Sequence, residues 1–85
     1  MMTQELDQAI KLAKSNDSAK ALPILARILK IDPHNEKAWF WLAVSVDDDN
    51  KRLDCLRKVI QINPGNDQVR KIIIRLETKL EKAPK

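Results

Sequence analysis

The chain has 85 residues and a net charge of +4; 44% of the residues are apolar and 33% are charged. This length allows one domain, and a single glycine argues against an all-β fold, which needs many turn glycines. The longest run without a charged or amide side chain, residues 38–46, is far shorter than the about 20 apolar residues of a transmembrane helix. Residues 1–5 lack the features of a signal peptide, and one cysteine cannot form an intrachain disulfide. We therefore expect a cytoplasmic protein without membrane association.

Five amphipathic helices are predicted, because apolar residues recur every three or four positions through most of the chain. Polar breaks at 14–18 and 47–50 separate the first helix from the second and the third from the fourth. Pro33 and Pro64 end the second and fourth helices, since proline cannot continue a helix. We place the helices at 3–14, 18–31, 35–46, 50–62 and 66–81, an all-α fold with antiparallel neighbours. Pro23 predicts that the second helix either begins near Lys20 or bends.

An internal repeat relates the two halves of the chain. An offset of 31 aligns residues 25–43 with residues 56–74 and places Ile-Asp-Pro-His-Asn, at 31–35, over Ile-Asn-Pro-Gly-Asn, at 62–66. In each copy the proline stops one helix, and the asparagine two residues later is a good N-cap for the next helix. Each copy is therefore a helix stop followed at once by a helix start.

Two ordered sets of residues carry a resemblance to a known family. The first set is Ala9, Leu12, Asn16-Asp17, Ala21, Leu25, Ile28-Leu29 and Ile31-Asp32-Pro33. The second set is Trp39, Leu42, Ala43, Leu56, Val59-Ile60 and Ile62-Asn63-Pro64. Together they resemble the tetratricopeptide repeat (TPR) family, in the form of a small bacterial-type module. The resemblance departs from the family in a second repeat that is three residues short of the usual period of about 34 and in Arg52, where a small residue is favoured.

The TPR resemblance implies an antiparallel helix-turn-helix solenoid that occupies residues 1–81. Its first repeat covers 2–35, a shortened second repeat covers 36–66, a final helix covers 67–81, and residues 82–85 form a tail. A TPR solenoid implies a scaffold function, in which the concave groove between helices holds a segment of another protein.

The three aromatic residues of the chain are consecutive, at 39–41, and one helix face cannot bury all of them. Trp39 shares a stripe with Leu42 and is predicted to lie in the core. Trp41 points away from that stripe, so we expect it to be exposed or to meet the edge of a neighbouring helix. The alternative is that Phe40 and Trp41 both pack on adjacent helices, as large aromatics usually do. The resemblance implies a groove face that binds a partner through Leu6, Ile10, Lys37, Phe40, Trp41, Val44, Lys71, Ile72 and Arg75.

The predicted function is non-catalytic binding of a protein or peptide segment with apolar anchors, whose acidic residues lie toward Lys71 and Arg75. One alternative is a structural homodimer through the same groove face. A weaker alternative is nucleic-acid binding by the basic C-terminal end, since residues 67–85 carry six basic and three acidic residues. No aromatic follows Trp41, so the C-terminal helix offers no base stacking.

Residues that often carry chemistry have simpler interpretations here. His34 is the only histidine, Cys55 is predicted to be a half-buried small apolar residue, and Gly65 is the only glycine, so no phosphate-binding loop is present. The acidic run at 47–50 lacks the glycine and distal glutamate of an EF-hand and fits an N-cap for the fourth helix. We therefore expect no enzyme, no catalytic residue, no metal and no cofactor.

Overall fold

The computed structural model describes residues 2–82, with side chains from Gln4 onward, and contains five helices and no strand over that range. The helices are α1 (Met2–Lys14), α2 (Ser18–Ile31), α3 (Glu36–Ser45), α4 (Asp49–Ile62) and α5 (Asp67–Lys82). The all-α fold is confirmed, and each predicted boundary lies within one residue of the observed one. Lys82, the first residue of the predicted tail, belongs to α5, and the remainder of the tail lies outside the described residues.

Each helix packs against the next one in the chain, and α1 also contacts α3. The buried residues form two clusters. The first cluster comprises Ala9, Ala13, Ala21, Leu25, Ile28, Leu29 and Ala38. The second cluster comprises Ala43, Leu53, Cys55, Leu56, Val59, Val69 and Leu76. Trp39 and Leu42 are partly buried and contact both clusters, so α3 joins the two halves of the core.

The repeat seen in the sequence is also a repeat of hydrogen bonds. The backbone N–H groups of Asp32 and Asn63 each donate to the carbonyl oxygen four residues earlier, at a distance of 2.8 Å. These hydrogen bonds are the last ones of α2 and α4. The side-chain oxygens of Asn35 and Asn66 each accept from the backbone N–H three residues later, at 3.0 and 3.1 Å. The predicted helix stop and N-cap are therefore formed in both copies of the turn.

In each turn the carbonyl oxygen of the proline accepts a further hydrogen bond from a side chain. The indole Nε1 of Trp39 donates to the carbonyl oxygen of Pro33 at 2.8 Å. At the equivalent place, 31 residues later, Nε and Nη2 of Arg70 donate to the carbonyl oxygen of Pro64 at 2.8 and 2.6 Å. An indole and a guanidinium thus perform the same role in the two copies.

Helix α2 begins at Ser18 and continues through Pro23, so a start near Lys20 is wrong. The reason is the turn before it, where the backbone N–H groups of Lys20 and Ala21 donate to the carbonyl oxygen of Asp17. These bonds start the helix several residues before Pro23. The proline lacks an N–H, so one bond inside α2 is missing.

Arg52 closes the short turn between α3 and α4. Its Nε donates to the carbonyl of Ala43 at 3.1 Å and its Nη2 donates to the carbonyl of Val46 at 2.6 Å, while Nη1 pairs with Asp49 at 2.7 Å. A guanidinium therefore satisfies carbonyls at the C-terminal end of α3, where a positive charge also complements the helix dipole. Arg52, which departs from the TPR pattern, therefore has a local role in capping the end of α3.

Candidate protein-binding surface

The predicted groove-face residues lie on three helices, α1, α3 and α5. Contact between α1 and α3 is direct. The link from α3 to α5 is made near their N-terminal ends, where Oε2 of Glu36 accepts from the amides of Asn63 and Asn66 at 3.2 and 2.8 Å. These contacts hold the predicted residues in two groups, one around the aromatic residues of α3 and one on α5.

Trp41 is half-buried and packs against the first cluster, as Leu6 does, so of the predicted alternatives it meets a neighbouring helix rather than being fully exposed. The reason is that α1 lies beside α3 and covers part of the indole. Nζ of Lys14 lies 5.6 Å from the ring centroid, close enough for a cation–π interaction. Sequence reasoning missed Lys14, although it lies one helical turn after Ile10 on the same side of α1.

Phe40 is partly buried against the second cluster and meets Trp41 edge to face, with ring centroids 5.4 Å apart and an interplanar angle of 89°. Both rings are therefore packed against the core on one side and partly open on the other. Val44, one turn along α3 from Phe40, is 44% exposed. Ile10 on α1 is half-buried.

A small hollow of about 180 Å³ lies between α3 and α5. It is lined by Glu36, Lys37, Phe40, Asn66, Gln68 and Val69. Lys37 and Phe40, both predicted site residues, therefore share one wall of the hollow. Asn66 and Gln68 were not predicted, because their place opposite α3 depends on how α5 packs.

A second depression, of about 240 Å³, lies on α5 beside the start of α4. It is lined by Arg52, Ile72, Arg75, Leu76 and Lys79. Two of the predicted site residues, Ile72 and Arg75, therefore line this depression together with Arg52 and Lys79. Lys71 is exposed on α5 but lines neither depression.

Three basic residues of the predicted groove face carry charge that no described acidic residue pairs with. Lys37, Lys71 and Arg75 are exposed and form no ion pair with any described residue. By contrast, Lys79 pairs with Oδ2 of Asp49 at 3.0 Å. The unpaired cations are thus free to meet acidic groups of a ligand.

A third depression was not predicted from the sequence. We call it the outer groove; it lies between α4 and α5, has a volume of about 460 Å³, and is lined by Arg57, Ile60, Gln61, Arg70, Ile73 and Ile74. Ile74 is 61% exposed. The sequence does carry a signal, because three consecutive isoleucines at 72–74 spread over about 200° of a helix and cannot all face one core.

The chemistry-bearing residues have structural roles. Cys55 is buried in the second cluster, and this burial raises the pKa of its thiol, with a further increase from the charge of Asp54. A raised pKa disfavours the reactive thiolate at neutral pH. His34 is exposed in its turn, and no group of three metal-ligating side chains occurs among the described residues. Asp48 accepts from two backbone N–H groups as the N-cap of α4.

Comparisons with known proteins add no assignment. Neither a scan against protein-family models nor searches of curated proteins and of solved structures found a match. The resemblance to the TPR family therefore stays a prediction that rests on the residue pattern. No helix in the described range is long and apolar enough to cross a membrane.

Proposed function

We propose that the chain is a non-catalytic protein-binding module of the TPR type, which holds an acidic segment with apolar anchors on its groove face. The observation that supports this most strongly is the placement of unpaired cations beside partly buried apolar side chains, one aromatic and one aliphatic. Lys37 lines the same hollow as Phe40, and Arg75 lines the same depression as Ile72. The apolar side chains of one ligand segment would contact Phe40 and Ile72, while its acidic groups would contact Lys37 and Arg75.

The apolar contribution comes from Phe40, Trp41 and Val44. Both rings are already fixed by packing against the core and against each other, so little side-chain freedom is lost when a ligand covers their open sides. Burying apolar surface contributes about 25 cal/mol per Å². Aromatic residues fixed in this way are typical of interface residues that carry most of the binding energy.

The electrostatic contribution favours an acidic ligand over a neutral or basic one. Lys14 lies over the Trp41 ring, Lys37 lies at the α3–α5 hollow, and Arg75 lines the α5 depression. Partly exposed cations of this kind chiefly set orientation and the rate of association, and their effect is weakened by salt.

The test is a binding measurement with synthetic peptides in which Asp or Glu alternates with Leu or Phe, compared with the same peptides carrying Lys in place of the acidic residues. We expect the acidic peptides to bind, and the variants Val44→Glu and Arg75→Glu to weaken binding by at least about tenfold, equivalent to 1.4 kcal/mol. Titration calorimetry supplies the affinities.

Two matched controls lie away from the groove face. Ile31→Glu changes an aliphatic side chain of α2 that is 66% exposed, and Lys58→Glu reverses an exposed charge on α4. Both should leave peptide affinity unchanged. Equal affinity for acidic and basic peptides, or equal losses in the control variants, would contradict the proposed binding face.

A further inference from the structure

We propose that the outer groove is a dimer interface, in which α5 of one copy packs antiparallel against α5 of a second copy. This surface is separate from the groove face, because its residues are contributed by α4 and by another side of α5. Its lining combines an exposed aliphatic side chain, Ile74, with Arg57 and Arg70, and Glu77 lies next to it through its ion pair with Arg57.

Four residues of α5 form one stripe along the outer groove. Arg70, Ile73, Ile74 and Glu77 are spaced by three, one and three positions, which places them within about 100° of arc on a helix. Ile73 is half-buried and Ile74 is 61% exposed. The stripe is apolar in its middle and carries opposite charges at its two ends.

This order makes the stripe complementary to itself. Arg70 and Glu77 lie at equal distances on either side of the Ile73–Ile74 pair. When two copies of α5 are antiparallel about a two-fold axis through that pair, Arg70 lies level with Glu77 of the partner subunit. Two identical Arg–Glu pairs then flank four isoleucines. A uniformly acidic ligand would leave Glu77 facing like charge, so the mixed charges favour a second copy.

The charged groups are already held in place within one copy. Pro64 accepts from Nε and Nη2 of Arg70, which orients the guanidinium and leaves Nη1 for another acceptor. Oε2 of Glu77 accepts from Nη2 of Arg57 at 3.0 Å, so its other oxygen can accept from Arg70 of the partner subunit. Groups that are fixed before binding lose less conformational entropy when the dimer forms.

The dimension of the surface sets the expected strength. A helix of 16 residues is about 24 Å long, and α4 adds only one side of the groove. Such a contact is smaller than a standard interface of about 1,600 Å² in total. We therefore expect a reversible dimer with a dissociation constant on the order of 10 μM.

The experiment is sedimentation equilibrium of the full chain between about 1 and 300 μM. The wild type should shift from monomer to dimer across this range. Ile74→Ser, Arg70→Glu and Glu77→Arg should each weaken the dimer by at least about tenfold. Circular dichroism melts of each variant establish that the monomer is folded.

The decisive experiment exchanges the charges of Arg70 and Glu77. An equimolar mixture of Arg70→Glu and Glu77→Arg chains should recover association, because each charge then meets its opposite across the two-fold axis. The double variant carrying both exchanges should recover it too. Val44→Glu, on the groove face, should dimerise as the wild type does.

Three results would overturn the proposal. The first is a wild type that stays monomeric at about 300 μM. The second is a mixture of the two single variants that associates no better than each variant alone. The third is a dimer lost in Val44→Glu and kept in Ile74→Ser, which would place the interface on the groove face.

Discussion

Trp39 is the residue on which most of the architecture converges. Its ring contacts both core clusters, and its indole N–H holds the carbonyl oxygen of Pro33. The side chain is only partly buried, so its importance comes from the two clusters that it connects rather than from complete burial. Arg70 performs the hydrogen-bonding part of this role in the second turn and leaves the packing part to other residues.

We expect Trp39→Ala to lower the free energy of unfolding by about 3 kcal/mol, because both clusters lose a common contact. Trp39→Phe keeps an aromatic ring but removes the bond to Pro33, and should cost about 1 kcal/mol through that loss. Urea denaturation followed by circular dichroism measures both values. A loss under about 1 kcal/mol for Trp39→Ala would show that the clusters do not depend on this residue.

At the scale of the helices, the ends of α2 and α4 could be predicted because their signals are local. A proline and an asparagine two residues later fix each stop and start with hydrogen bonds that span only a few residues. The position of Trp41 could not be predicted in the same way. Its environment depends on where α1 lies against α3, which is a tertiary contact that helical periodicity does not determine.

The same contrast between local and tertiary information explains which surface residues could be predicted from the sequence. Phe40, Val44 and Arg75 could be identified from helix faces, because a side chain's direction on its own helix follows from residue spacing. Arg52 was predicted only as a departure from a family pattern, and its capping role appears once the turn between α3 and α4 is seen. The outer groove was missed because it needs the relative placement of α4 and α5.

Asp49 ties the start of α4 to the end of α5. Its two carboxylate oxygens pair with Arg52 and Lys79, at 2.7 and 3.0 Å. The hydrogen bond from Lys79 is the main cause that lowers the pKa of the Asp49 carboxyl; burial opposes it, and the charges of Lys79 and Arg52 lower the pKa further. The folded state therefore favours the ionised carboxylate.

A lowered pKa in the folded state gives stability that is present above the ordinary aspartate pKa and is lost as the pH falls through the folded value. We expect Asp49→Asn to melt at a lower temperature than the wild type at pH 7. The difference should shrink to nothing in acid, where the wild-type carboxyl is protonated as well. Asp47→Asn, at an exposed carboxylate without an ion pair among the described residues, is the control. A difference that persists unchanged in acid would contradict this role.

The whole molecule is elongated, with principal extents of 42, 27 and 19 Å. Its first core cluster lies chiefly on α1 and α2, and its second lies chiefly on α4 and α5. Contacts run from each helix to the next, so the sequence separation between packed elements is small. The two proposed surfaces lie on different sides of α5, which would let one chain hold a partner and a second copy at once.

The paired turns have a consequence for the order of events in folding. Every hydrogen bond that defines them closes over six residues or fewer, a distance that a chain samples in well under a microsecond. Asn35→Ala and Asn66→Ala, at a cost of about 1 kcal/mol each, should therefore slow folding.

Asp49→Asn breaks a link between residues 30 positions apart, Asp49 and Lys79, and should instead speed unfolding. Stopped-flow measurements over a range of urea concentrations separate the folding rate from the unfolding rate. If Asn35→Ala and Asn66→Ala changed only the unfolding rate, the turns would form late. If the turns form first, each is a site from which two helices can grow before either has found its neighbour.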